Sequence, residues 1–270
     1  MTTDRMLIAL DIDGTILDVD GEIPDATHRE IDRLVTAGHE VMLATGRSAR
    51  DTLPVRERLG IEPQYVVSAN GAMTLEKEPA DARGYTARWV ETFDPTGALE
   101  ALSTVLKDAR FAVEGSDGVY RYSGRFPEGT FEAQGLEVPF EELAKEPVTR
   151  LVVVSPDQTI EEFLEQIAES GLHSVSYSVG WTAWLDIAPE GVNKGTALER
   201  VRESHGIDRK NVFVAGDGRN DIEMLRWAAE GGGHGVAMGN APQEVIDAGN
   251  AMTTDFYHEG LARALAKIPS

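Results

Sequence analysis

The stretch MLIALDIDGTIL, residues 6–17, runs a short apolar segment straight into two carboxylates, Asp11 and Asp13, with Gly14 and Thr15 behind them. An apolar run of this length, Met6 to Leu10, reads as a buried strand. Acids placed where a buried strand ends mark the edge of a sheet at which ligands bind.

The same alternation recurs along the chain. "PDATHREIDRLVTAG" reads as a helix with Asp25 as N-cap, Ile31, Leu34 and Val35 at helical spacing, and Gly38 as its stop. "EVMLAT" is a second buried strand, "SARDTLPVRERLG" a helix that Pro54 limits or kinks, and "QYVVSANGA" a third strand. Further on, "NKGTALERVRESHG" reads as a helix, "NVFVAGD" as a strand, "NDIEMLRWAAEGG" as a helix and "GVAMG" as a strand. "PQEVIDAG" and "DFYHEGLARALAKI" complete the series as helices. Apolar strands alternating with amphipathic helices predict an α/β fold, a Rossmann-like parallel sheet covered on both faces.

Between about Ala80 and Trp184 the alternation lapses. "GYTARWVETF" and "DGVYRYSG" have the polar alternation of an antiparallel sheet open to solvent on one face. "RLVVVSP" reads as a strand, "TIEEFLEQIAESG" as an amphipathic helix, and "HSVSYSVGWTAWLDIAP" as one or two more strands. The expected organisation is a core of residues 1–81 and 185–270 with an α+β domain, 82–184, inserted into it. "EKEPADARG" and "LDIAPEGV" are the expected hinges.

Composition narrows the function. The chain of 270 residues carries 46 acidic against 25 basic side chains, a formal charge of -21 that disfavours a nucleic-acid backbone as partner. The sequence has no cysteine, which excludes disulfides and thiolate metal sites. No apolar run reaches membrane-spanning length, and the opening MTTDRM lacks the pattern of a signal peptide, so a cytoplasmic protein without a membrane partner is expected.

Separate strand ends deliver polar groups to one edge: Asp11, then Thr45 with Gly46, then Ser68 and Asn70, then Asp217. Lys194 opens a helix that approaches the same edge. Singly, each has an ordinary reading: a strand-end Asp is often a cap, Asn70-Gly71 a hairpin turn, and Lys194 a solvated helix residue. Together they suit a magnesium ion, for which the acids are hard oxygen ligands, and a phosphate group, for which Lys and the neutral donors are partners.

The chain resembles the haloacid dehalogenase (HAD) superfamily, and within it the Cof-like phosphatases with a type IIB cap. "DIDGT", "LATGR", "NKG" and "GDGRND" match its four motifs, and "SANGA" and "GVAMGNA" match stretches usual in the subfamily. Gly218 and Arg219 depart slightly from the usual pattern, which often has Asn after the Asp. The likeness covers roughly residues 5–80 and 185–265; the insertion matches by position and size. It implies a HAD-fold core with a type IIB cap, and a phosphomonoester hydrolase that passes through an aspartyl-phosphate. Asp11 is implied as nucleophile and Asp13 as acid and base, with Gly14 allowing the turn that carries Asp13 back over the site. Mg2+ is implied on the Asp11 carboxylate, the Asp13 carbonyl, Asp217 and Asp221, with phosphate held by Thr45, Lys194, the Gly46 amide, Asn70 and Asn193. The expected partner is a small phosphorylated metabolite, sugar phosphates first.

A phosphohexomutase of the same superfamily is the alternative enzyme. It needs a second phosphate site, for which Arg83, Arg88, Arg121 and Arg125 are candidates against the plainer reading of scattered surface arginines. A phospho-ligand sensor without turnover is the non-enzyme alternative, as is a receiver domain, which is much shorter and lacks DxDGT. The insertion leaves and rejoins the core at the catalytic edge and is expected to act as a lid. Trp181 and Trp184 either line the closed cleft or pack within the cap.

Overall fold

The computed structural model describes residues 5–124, 126, 135–171, 175–179 and 183–269. The chain forms two compact units, Met1–Trp89 with Asn193–Ser270, and Val90–Val192.

The first unit begins with β1 (Leu7–Leu10), α1 (Asp25–Thr36), β2 (Glu40–Leu43), α2 (Ala49–Arg58), β3 (Tyr65–Ser68), β4 (Met73–Lys77) and β5 (Tyr85–Val90). The second contains α3 (Thr96–Val105), β6 (Arg110–Gly115), β7 (Tyr120–Ser123), β8 (Leu136–Glu137), β9 (Val148–Val154), α4 (Ile160–Glu169), β10 (Val175–Val179) and β11 (Trp184–Pro189). The chain then returns to the first unit with α5 (Lys194–His205), β12 (Val212–Gly216), α6 (Ile222–Glu230), β13 (His234–Ala237), α7 (Gln243–Ile246), β14 (Ala251–Met252) and α8 (Gly260–Leu265).

The main sheet has the order β14-β13-β12-β1-β2 and is parallel throughout. All residues of β1 are fully buried, as a strand covered on both faces requires. Leu7 and Ala9 join Val212 and Val214 in a core closed by Ala197, Leu198 and Val201 of α5 and by Met224, Leu225 and Ala228 of α6. Ile8 and Leu10 alternate with them onto the opposite face and are equally buried. From β1 the chain moves to β2 on one side and later returns to β12 on the other. The strand order therefore reverses at β1 and β12, the switch point where parallel sheets open a binding crevice beyond their carboxyl ends.

Local chemistry shifts some expected boundaries. Helix α1 starts at Asp25 itself; Pro24 is the extended N-cap and makes no side-chain cap bond, which leaves Asp25 in the first turn, where the helix dipole favours an acid. Helix α2 is capped by Ser48 and runs through Pro54 to Arg58. The third strand is followed by a turn over Ala69–Gly71 into antiparallel β4, and it meets the main sheet through a parallel bridge between Ala44 and Val67. Near the C-terminus, the left-handed Glu259 separates a 3-10 turn, Phe256–His258, from α8, dividing what reads as one helix.

The crossings between units follow Trp89 and Val192 rather than residues 81 and 184. Strand β5 belongs to the small sheet β3-β4-β5; Tyr85 is buried and donates its hydroxyl to the Pro63 carbonyl, and Trp89 stacks on Tyr65. The Pro- and Gly-containing run 77–84 is the turn of this hairpin, closed by Glu78 N–H to the Gly84 carbonyl. At the other end, β11 pairs with β9 and β10 inside the second unit.

That unit is a sheet of order β10-β11-β9-β6-β7-β8, antiparallel except for β7 with β8. Leu99 and Leu102 of α3 and Phe163 and Ile167 of α4 pack on Phe111, Val113, Leu151, Val153, Leu185 and Ile187. The alternate residues of the strands were expected to face solvent but include the fully buried Ala112, Glu114 and Val152. There the Arg150 guanidinium lies 3.5 Å from Glu114 and 3.4 Å from Asp186, over the Tyr120 ring. Trp184 packs with Ala112, Tyr120, Val152 and Val154; Trp181 lies outside the described residues. Among the described residues, no helix is long and apolar enough to cross a membrane. Since Phe163 is fully buried at the helix–sheet seam, Phe163→Ala is expected to cost about 3–5 kcal/mol in chemical denaturation. A loss under about 1 kcal/mol would mean that the seam is not a close-packed core.

Candidate active site

Asp11 follows the last residue of β1, and its N–H donates to the Ala215 carbonyl of β12 at 3.0 Å. Asp217 follows β12, whose parallel pairing with β1 brings the two acids to the same edge of the sheet. Asp221 arrives through a tight turn: its Oδ2 accepts the N–H groups of Asp217 and Gly218 at 3.0 and 2.9 Å. Lys194 is the first residue of α5, set in place by a capping box between Asn193 and Thr196.

Within this crevice the Lys194 Nζ donates to Asp11 Oδ1 and to Asp221 Oδ1, both at 2.6 Å, and its side chain is fully buried. Carboxylate oxygens of Asp11, Asp217 and Asp221 lie within 4.8 Å of one another. Carboxylates at that separation repel by roughly 3 kcal/mol a pair at an effective dielectric constant of about 20. Three carboxylates and one ammonium leave two negative charges in excess. Burial, reinforced by Asp221, pushes the Asp11 carboxyl well above its ordinary range. The same two causes push Asp217 up to about 7. Burial opposes the charge on Lys194, but Asp11 and Asp221 outweigh it and hold the ammonium above its ordinary value. Buried, hard oxygen donors with an excess of negative charge fit a divalent cation. Gly14 leaves room beside them: its φ is +76°, and a Cβ there would lie 2.2 Å from Asp217 Oδ2.

Asp13 takes a different course. Its carboxylate is not one of the three clustered acids, is 60% exposed, and accepts two hydrogen bonds from Arg47 at 2.6 and 2.9 Å. That pairing raises the Arg47 pKa. Thr45 is buried, and its Oγ1 accepts the Arg47 N–H at 3.1 Å. Asn70 has a left-handed backbone, φ 52°, beside left-handed Ala69; its N–H donates to the Thr45 carbonyl and its Oδ1 accepts from Asn220. A Cβ on Gly46 would come within 2.9 Å of the Asn70 oxygen. Asn193 uses its Oδ1 to cap α5 by accepting the Thr196 N–H. Thus Asp11, Lys194, Asp217 and Asp221 converge, Thr45, Gly46 and Asn70 form an adjoining loop cluster, and Asp13 sits on Arg47. Arg83, Arg88 and Arg121 pair with Asp81, Glu76 and Asp117, and Arg125 lies outside the described residues.

Four residues join the site without having been singled out from the sequence. Arg47 stands in the quoted LATGR and Asn220 in GDGRND. Thr15 donates to Asp217 Oδ1 at 3.3 Å, and Asn240, in GVAMGNA, donates to Asp217 Oδ2 at 2.8 Å.

A family model described as haloacid dehalogenase-like hydrolase matches residues 8–265. The chain belongs to this family. It is a phosphatase of the HAD type, and relatives carry that activity in their names along nearly their full lengths. The 5-amino-6-(5-phospho-D-ribitylamino)uracil phosphatase YitU of Bacillus subtilis is 28% identical, with 98% of each chain covered. An HMP-PP phosphatase of Serratia proteamaculans is 26% identical over 87% of this chain and 84% of its own. Among solved structures, a sugar phosphatase of HAD subclass IIB superposes with a TM-score of 0.82 at 22% identity, covering 97% of this chain and 98% of that one. A protein from Thermotoga maritima gives 0.74 at 24% identity, covering 98% of each chain. The core sheet and inserted α+β unit thus share the fold of this HAD subclass.

The raised Asp11 and Asp217 carboxyls make the stability of the metal-free fold depend on pH. Asp11 and Asp217 bind protons in the metal-free fold that the unfolded chain has already released, so their contribution to stability is present below the ordinary carboxylate pKa and lost as pH rises through the folded value of about 7 for Asp217. Chelator-treated protein is therefore expected to melt at a lower temperature near pH 7.5 than near pH 5, and added divalent cations should close much of that gap. A metal-free melting temperature that rises over this range and ignores added cations would contradict the repulsion between these acids.

Proposed function

We propose that this HAD-type phosphatase is a magnesium-dependent phosphomonoester hydrolase for small phosphorylated metabolites, probed first with sugar phosphates, and that Asp11 is its nucleophile. The observation that carries the reading is the buried Lys194 ammonium held at 2.6 Å from both Asp11 and Asp221 inside the three-acid cluster. The activities for which the relatives are named, on phosphorylated small molecules, support the substrate class.

Asp11, Asp217 and Asp221 would hold the ion, with the Asp13 backbone carbonyl completing the protein ligands. When bound there, magnesium would supply positive charge that offsets the excess negative charge of the carboxylates and of an arriving phosphate dianion. Thr45, the Gly46 amide, Asn70, Asn193 and Lys194 orient phosphate oxygens from the rim. An Asp11 carboxylate oxygen attacks phosphorus, and the ester oxygen departs with the bonding pair and takes a proton from Asp13. Asp13 next removes a proton from water, whose oxygen attacks phosphorus in the Asp11 acyl phosphate. The P–O bond to Asp11 breaks, releasing inorganic phosphate and restoring the carboxylate. Two moderate barriers replace one high one.

Arg47 has a defined part in this scheme. Its two hydrogen bonds occupy both Asp13 carboxylate oxygens, so Asp13 reaches the ester oxygen only after Arg47 loosens its hold. A phosphate dianion in the adjoining loop cluster competes for that guanidinium.

Asp11→Asn removes a nucleophilic oxygen and a negative charge together. Its release of phosphate is expected to fall by several orders of magnitude with the circular dichroism spectrum unchanged; turnover near the natural rate would refute the assignment. Asp13→Asn keeps the backbone carbonyl but removes the proton donor. Phosphoenzyme formation in rapid-quench experiments should slow by about 10²–10⁴-fold for an alkyl phosphate and much less for an aryl phosphate with a good leaving group. Equal losses for both would argue against Asp13 as the acid.

A further inference from the structure

The segment after β13 carries GVAMGNA, whose asparagine has no part in the scheme above. Met238 N–H donates to the Gly216 carbonyl at 3.0 Å, which extends the β12–β13 pairing to the edge of the site. Gly239 is pressed against the next loop: its N–H donates to the Thr254 carbonyl, and a Cβ there would meet the Asp255 nitrogen at 2.6 Å. Asn240 is thereby delivered next to Asp217.

The orientation of its amide is fixed by a group that can only donate. Phe256 N–H lies 3.2 Å from Oδ1, so the oxygen faces the C-terminal loop and the NH2 group faces the site. Nδ2 then donates to Asp217 Oδ2 at 2.8 Å and to the Gly14 carbonyl at 3.1 Å. Both amide protons are thus committed to the crevice. Thr15 Oγ1 donates to the other Asp217 oxygen, so each has one donor and rotation of the carboxylate about its own axis is blocked. Asn240 is itself exposed, whereas Asp217 is buried. An exposed side chain contributes little to the fold by burial. What Asn240 does is hold two parts of the site together: an acid of the cluster and the turn that carries Asp13.

We propose that Asn240 is a positioning residue of the metal site, which fixes the Asp217 carboxylate and the Gly14 turn in the arrangement that binds a divalent cation. The inference rests on the magnesium reading given above. Outer partners of ligating carboxylates typically change metal affinity by about 10–100-fold when removed. A purely structural alternative is that Asn240 ties down the 253–258 loop through Phe256. Thr254 separates the two, because its hydroxyl donates to the His258 carbonyl within the same loop.

Calorimetric titration of chelator-treated full-length protein with MgCl2 tests the inference. Asn240→Ala is expected to weaken magnesium binding by about 10–100-fold. The melting temperature of its metal-free form should change little. Thr254→Ala should bind magnesium like the unmodified chain. Unchanged affinity in Asn240→Ala, or an equal loss in Thr254→Ala, would overturn the assignment. In the unmodified protein, the side-chain amide resonances of Asn240 should shift as MgCl2 is added; their failure to move overturns it even if the variant does not fold. Absence of any magnesium binding by the unmodified chain is a separate outcome: it removes the metal reading itself and the Asn240 inference with it.

Discussion

A fully buried lysine bridging two buried aspartates is the interaction on which the rest of this site depends. Lys194 has no access to water, so its ammonium persists only because Asp11 and Asp221 stand at 2.6 Å. Removing one partner of such a group typically costs about 3–5 kcal/mol, since the remaining charge is left uncompensated. The structure meets this constraint from several sides. Parallel register sets Asp11 beside β12, backbone N–H groups of the following turn hold Asp221, and the Asn193 cap starts α5 at the residue that carries the ammonium. The lysine neutralises one of three acids. The remaining charge is what makes the crevice receptive to a cation and, with that cation, to a phosphate dianion.

Close backbone approach is the second condition. Gly14 abuts Asp217, Gly46 abuts Asn70, and Ala69 and Asn70 adopt left-handed conformations that cost a non-glycine residue about 1–2 kcal/mol each. Such strain persists only where surrounding bonds over-determine it. Here the Ala69 and Asn70 N–H groups are fixed by the carbonyls of Arg47 and Thr45. The polar loop after β3 is therefore stitched to the loop after β2, and the two form one rim.

Much of this was legible in the sequence. Buried runs ending in Asp11, Thr45 and Asp217 specify a parallel sheet, and strands of one sheet must present their ends at one edge. Lys194 was recognisable as the opening of a helix directed at that edge. The contacts of Arg47 with Asp13 and of Asn240 with Asp217 were not, because they span loops whose turns decide where a side chain points. Asp13 shows the difference within one motif: two residues from Asp11, it nonetheless pairs with Arg47 outside the acidic cluster. The two units divide at residues other than the Pro- and Gly-containing runs for a related reason. Proline and glycine mark a hairpin turn as readily as a hinge, and only the pairing of β5 with its neighbours tells the two apart. Pro24 likewise displaced Asp25 from its expected cap by fixing the residue before the helix in an extended conformation.

The covalent role proposed for Asp11 is tested most directly by trapping. The enzyme is mixed with magnesium and excess phosphate ester, quenched in acid within the first turnover, reduced with borohydride, digested and analysed by mass spectrometry. An acyl phosphate on Asp11 is reduced to homoserine at position 11, and this is the expected product, confined to that position and dependent on substrate. Steady turnover with position 11 intact, or with the reduced residue elsewhere in the chain, would contradict the account.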